Sequence, residues 1–355
     1  MRRLIETHSL CAALTLGLAS NLNAQPVEVA KLEQAPSVTL NNGLISAKVF
    51  LPDEAQGFYR GVRFDWAGMI GSLTYAGHNF YPPWFEAMSP EVRDFENDQG
   101  YVTASPQTAA TGPAEEFNAE GGALGYADAG PGDTFVKIGV GVLRRLDDSG
   151  YRFFENYPLV DAGERINIVK GNQIDFLHRI NDEASGYGYE YSKTLRLEPG
   201  QPVLVIEHAL LNTGSNQIDT EVYNHNFLNI DDLGSSAGLT LSVPYSLNTT
   251  ELPDPALATV DEHSMTYLET PPIGSSVRLD LSGFSDTADD YDFHTFHQRA
   301  GAGVRITGDR PLSQAVLWSV APVMSVEPFI SMSIATGESF SWSYRYEFQT
   351  NSNRP

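Results

Sequence analysis

The sequence predicts an all-β protein, a large antiparallel β-sandwich, and three observations carry that prediction. Short alternating apolar and polar runs recur along the chain, turn-forming residues separate them, and no window of helical length shows a sustained apolar stripe. The first pair of runs is Ser37-Val-Thr-Leu40 and Leu44-Ile-Ser-Ala-Lys-Val-Phe50, folded about Asn41-Asn42-Gly43, which has the composition of a hairpin turn. The same style returns in Phe135–Leu146, Gln173–Ile180, Tyr187–Leu197, Val203–Leu211, Leu239–Val243, Val277–Leu281, Gly303–Ile306, Gln314–Trp318 and Ser339–Phe348. Breaks such as Glu198-Pro-Gly200, Asn212-Thr-Gly214, Thr307-Gly-Asp309 and Thr336-Gly-Glu338 supply the turns. Many strands at short spacing in one long chain point to packed antiparallel sheets. Residues 84–134, rich in Pro, Gly, Glu and Asp, read instead as a long functional loop.

The amino terminus has a different grammar. Arg2 and Arg3 precede the apolar run Leu10–Ala19, and a polar, small-residue stretch follows to Ala24, the layout of a secretory signal over residues 1–24. The run is too short to span a bilayer, and no later stretch is long and apolar enough to do so. Residues 25–355 then form a single domain, expected in the periplasm or outside the cell. Cys11, the only cysteine, lies within the leader, so disulfides and cysteine-ligated metals cannot hold the remaining fold together. Net charge is −23, and removing the +1 of residues 1–24 (Arg2 and Arg3 against Glu6) leaves about −24. Such a surface repels phosphate backbones, which excludes nucleic acid as a partner. Arg60, Arg63, Lys137, Arg144, Arg145 and Lys193 are the only cations dense enough to suggest a basic patch.

Two segments carry chemistry. The first is Thr220-Glu-Val-Tyr-Asn-His-Asn-Phe-Leu-Asn-Ile-Asp-Asp232, and the second runs from Ser325-Val-Glu-Pro-Phe329 through Thr336-Gly-Glu338 to an aromatic-rich final strand. The chain here resembles the galactose mutarotase, or aldose 1-epimerase, family, whose Asn-His-x-x-Phe-Asn run is matched by Asn224, His225 and Asn229, with Phe227 one place early. The resemblance implies a mutarotase-like supersandwich acting on a carbohydrate without cofactor or metal. It makes His225 the acid that protonates the ring oxygen and Glu327, ahead of the turn at Thr336-Gly-Glu338, the base. Opening a hemiacetal needs such a pair, with roles reversed on closure. The family's additional early histidine and its Gly-Arg motif have no recognisable counterpart; Arg60 or Arg63 could supply the cation.

Other candidates rest on residue type and place. Trp84, within the aromatic cluster Phe80, Tyr81, Trp84 and Phe85, could stack on a sugar face, or these rings could fill a core. Glu115 and Glu116, in the acidic loop Thr111–Phe117, read as a solvated pair, although Glu116 could bind sugar hydroxyls and such a pair could also serve glycoside cleavage or bind calcium. Alternation puts Tyr187, Tyr189, Tyr191 and Lys193 on one strand face, where Tyr191 or Lys193 could face a substrate carboxylate. His294 and His297 have a zinc-like spacing but fall on opposite strand faces. Three functions stay open: an epimerase using His225 and Glu327; a polysaccharide lyase in which Tyr191, His225 or Lys193 takes the proton beside a uronate neutralised by Arg63; and a noncatalytic sugar-binding protein.

Overall fold

The computed structural model describes residues 25–249 and 252–351, so the expected leader over residues 1–24 lies outside the described residues. Two sheets dominate. The larger has ten strands in the order Glu164–Lys170, Gln173–Asp182, Tyr187–Leu197, Val203–Asn212, Ser339–Thr350, Ala302–Gly308, Asp292–His297, Leu239–Ser242, Ser264–Tyr267 and Ala258–Asp261. The smaller has five, in the order Val277–Asp280, Gln314–Val320, Val323–Ile334, Ile218–Phe227 and Gly112–Asn118. Every strand pair in both is antiparallel. The chain is therefore an all-β sandwich, as its alternating pattern predicts. The predicted hairpin forms with Ser37–Asn41 paired to Ile45–Phe50.

The inner faces meet through side chains of period two. Phe117 of the small sheet packs edge-on against Tyr191 and Trp342 of the large one. Asn224 donates to the Tyr346 hydroxyl at 2.7 Å, and that hydroxyl donates to Asn226 Oδ1 at 2.9 Å. On the same inner side a buried polar knot crosses the sandwich. Lys193 Nζ donates to Glu115, to Asp65 at 3.3 Å and to the Ala67 carbonyl at 2.7 Å. His208 Nε2 lies 2.6 Å from the other Glu115 oxygen.

Three local predictions need correction. Thr111–Phe117 is not a loop: Gly112–Asn118 is a strand of the small sheet, buried almost throughout. Its Pro and paired acids look unlike a buried strand, and only buried cations from elsewhere in the chain make it one. Residues 84–134 also hold the short strands Ala87–Met88, Phe95–Asp98 and Tyr101–Ala104. The run Phe135–Leu146 is two strands, Thr134–Lys137 and Gly141–Arg144, because Gly139 turns the chain at φ +80°. A Cβ there would meet the Asp65 Cβ at 2.6 Å, so this glycine also lets Asp65 approach.

Candidate functional site

His225 and Glu327, about a hundred positions apart in sequence, are neighbours across two adjacent strands. The register brackets them, with Tyr223 opposite Phe329 on one side and Leu228 opposite Met324 on the other. His225 Nε2 lies 3.1 Å from Glu327 Oε1. Both side chains point away from the large sheet, onto the outer face of the small one, and both line a cavity of about 250 Å³. Its walls are aromatic: Trp84, Phe95, Phe153, Phe227 and Trp318. Its other polar groups are Arg63, Asp94, Thr108 and Arg278.

The imidazole is held by rings. His225 stacks on Phe227 at 3.9 Å and meets Phe64 and Trp318 edge-on. Its Nδ1 is buried with no hydrogen-bond partner. Burial pushes the His225 pKa well below 6.5, and the Arg63 charge adds to that shift. Burial likewise pushes Glu327 up to about 8, against the opposing pull of Arg63 and with help from Glu116. At neutral pH the pair therefore holds a carboxylic acid beside a neutral imidazole. The sequence expectation, an imidazolium acid and a carboxylate base, is the same pair with its one proton moved across 3.1 Å.

A raised carboxyl pKa has a sign in stability. Below about pH 4.5 the carboxyl is protonated whether the chain is folded or unfolded. As pH rises from there to about 8, the unfolded chain releases the proton and the folded one keeps it, so this stabilising contribution is lost. Glu327→Gln removes that linkage. Its stability relative to the wild type is expected to rise by about 1.4 kcal/mol per pH unit across this window. Urea titrations of both proteins at intervals from pH 5 to 8 check this, and a pH-independent difference would contradict it.

Arg63 enters the cavity from the side. Its Nε donates to Glu116 at 2.6 Å, its Nη2 donates to the Tyr223 hydroxyl at 3.0 Å, and its guanidinium lies over Phe64 and Phe153. Lys137 Nζ holds the other Glu116 oxygen at 3.2 Å. Burial alone would raise the Glu116 pKa, but Arg63, then Lys137 and the Tyr223 hydroxyl, hold it down at about 2. Glu116 is thus committed to protein groups and acts by positioning Arg63.

Of the remaining candidates only Trp84 is brought to the cavity. Asn224 has the opposite strand parity to His225 and faces the core, bonded to Tyr346. Asn229 accepts from the Gly234 backbone N–H and donates to Asp232, which ties the turn after the motif strand. Tyr191 and Lys193 share a face with Tyr187 and Tyr189 as alternation demands, but that face is the sandwich interior. Tyr191 stacks on His208 and Trp342, and Lys193 is consumed by Glu115 and Asp65. Trp84 reaches the cavity as part of its wall: it is 3% exposed, stacks on Phe227, and donates its Nε1–H to the Ala110 carbonyl. It is packed as core, not presented as a free stacking platform.

The six predicted basic residues form no patch. Lys137 and Lys193 are buried in ion pairs, while Arg60, Arg144 and Arg145 bond separate backbone carbonyls. His294 and His297 sit three apart on one strand and so on opposite faces. Among the described residues no three His, Cys, Asp or Glu side chains converge as a metal site. Sequence reasoning missed Asp94, Arg278 and Trp318. Trp318 had a signal, since it lies on a predicted strand, but only the pairing Trp318–Ser325 carries it to the cavity.

No protein-family model matches the sequence, and no curated protein matches it. Solved structures do match in shape. The chain is similar to a candidate aldose 1-epimerase from Escherichia coli, with a TM-score of 0.53 and 12% identity over 88% of this chain and 99% of that one. It is also similar to a galactose mutarotase-like protein from Clostridium acetobutylicum, with a TM-score of 0.52 and 10% identity over 90% of this chain and 96% of that one. Identities this low speak to architecture alone. This chain has the galactose mutarotase-like β-sandwich fold.

Proposed function

We propose that this protein is an exported carbohydrate-active enzyme that opens and recloses a sugar ring at its anomeric centre, an aldose 1-epimerase-type reaction. The observation that supports this reading most is the contact of His225 with Glu327 on the wall of an aromatic-lined cavity, with one proton between them. The two reacting oxygens of a pyranose, the anomeric hydroxyl and the ring oxygen, share a carbon, so adjacent acid and base groups can serve both. Glu327 gives its proton to the ring oxygen while the His225 imidazole takes the hydroxyl proton, and the C1–ring oxygen bond breaks to an open aldehyde. After rotation about C1–C2 the ring oxygen attacks the other face of the carbonyl. The imidazolium then returns a proton to the new hydroxyl, and the Glu327 carboxylate recovers its own. Atoms and protons balance over the cycle. Burial suits this sequence, because it makes the neutral form of the pair its resting state.

Polarimetry on freshly dissolved α-glucose and α-galactose is the test, with decay of rotation faster than in buffer alone as the expected result. Unchanged decay across a panel of aldoses would remove this reading.

A second reading, elimination beside a uronate carboxylate, draws on the two guanidinium groups, Arg63 and Arg278, that border the same cavity. Tyr191 and Lys193 lie in the core, which leaves His225 as its base. New ultraviolet absorbance from an unsaturated uronide would favour it. Sugar binding that survives loss of both His225 and Glu327, with no turnover of any sugar, would favour a noncatalytic role.

A further inference from the structure

The cavity at His225 and Glu327 is small, about 250 Å³, the scale of one sugar ring. Arg278, which borders it, also borders a second cleft of about 490 Å³ formed by residues 253–257 and 269–278. Arg278 stands on Val277–Asp280, the edge strand of the small sheet, and its backbone partner is Trp318 of the cavity wall. The two spaces therefore lie side by side at the edge of the small sheet, with Arg278 in the wall of each. The Arg278 side chain is 54% exposed and held only at the surface, with Nη2 at 3.2 Å from Asp280.

The second cleft has the chemistry of a sugar surface. Leu257, Pro272 and Val277 give it an apolar floor, and Asp254, Glu269 and Ser276 give it polar edges. A pyranose presents an apolar C–H face ringed by hydroxyls, which match such a floor and such acceptors. Leu252, Leu268 and Ile273, beside these lining residues in sequence, are 71%, 43% and 56% exposed. Apolar side chains left in water on the segments that build a cleft are consistent with an interaction surface there. The acids at the edge favour an uncharged ligand over an anionic one.

We infer that the protein takes a neutral oligosaccharide, with its terminal ring in the His225–Glu327 cavity and the following units crossing Arg278 into the cleft at residues 253–278. This rests on the functional reading above for the terminal ring, and adds to it the chain behind that ring. Electing a neutral glycan follows from adjacency and from the acids at the cleft: a single aldose would leave the larger of two neighbouring spaces unused.

The test uses the whole protein and tryptophan fluorescence, since Trp84 and Trp318 both line the cavity. Glucose, galactose and their linear homo-oligosaccharides of two to four units serve as probes. Ser276→Tyr and Ala256→Phe, both at exposed positions on the cleft wall, fill the cleft and leave the cavity untouched. In one series the trisaccharide is expected to bind at least about tenfold tighter than the monosaccharide, and each variant is expected to abolish that gain while monosaccharide affinity stays within about twofold. Affinity independent of length, or a gain that survives both variants, overturns the inference. Polarimetric activity on monosaccharides would then leave the functional reading standing, whereas no binding and no turnover in any series would overturn both. Sedimentation showing a dimer that Ser276→Tyr dissociates would assign the cleft to a second copy of the chain and likewise overturn it.

Discussion

Lys193→Met is expected to lower the folding stability by about 3–5 kcal/mol, the range for removing one partner of a buried ion pair. Lys193 is 1% exposed and bridges two carboxyl groups that are equally hidden, those of Glu115 and Asp65. Burial pushes Glu115 upward, but Lys193 and His208 together hold it below its ordinary value. Burial raises Asp65, with Lys193 opposing. Methionine fills the volume of the stem and supplies no charge, so both carboxyls and the Ala67 carbonyl lose the lysine as a donor, and Glu115 is left with His208 and Asp65 with the Ala67 N–H. A large drop in thermal midpoint and in urea midpoint should follow. Adding Glu115→Gln to Lys193→Met should recover part of the loss, because it removes the charge left behind. Equal stability of Lys193→Met and the wild type would show that the knot is not tied as described.

His225→Ala and Glu327→Gln should each reduce turnover of the responsive sugar by about 10²–10⁴-fold, the contribution of a positioned acid or base. The double substitution should cost little more than either single one, since the pair works as a unit. Its pH profile separates this arrangement from an ordinary carboxylate base. The active pair contains one proton. Above about pH 8 Glu327 loses it, so kcat/KM should fall on the alkaline side. The imidazole gains a second proton only well below pH 6.5, so the acid limb should lie there. A base of normal carboxylate pKa would instead give an acid limb near pH 4–5 and no alkaline limb near 8. Additive losses, or that second profile, would contradict the shared-proton pair.

The two segments legible as chemistry in the sequence differ from the rest in how little tertiary information they needed. The histidine in Asn224-His-Asn226 and the glutamate in Val326-Glu-Pro328 could be picked out by residue type and surroundings, and the structure puts them 3.1 Å apart. Asn224 was singled out with the same motif, yet strand parity sends it to the opposite face. Glu115 and Glu116 read as a solvated pair because nothing local supplies their partners. Their cations stand far along the chain, at Lys193 for Glu115 and at Arg63 and Lys137 for Glu116, and one step of the pleat sends the two carboxyls to opposite sides of the sheet.

By itself the sequence determined the β architecture, because period-two alternation and turn chemistry are local properties that each segment carries alone. It also determined the acidic surface and the absence of any cysteine beyond Cys11. Which charged groups are buried, which face the cavity, and where the pair's proton resides were decided only by tertiary structure. Desolvation and pairing depend on what the folded chain brings within a few ångströms, and no local pattern encodes a neighbour a hundred residues away.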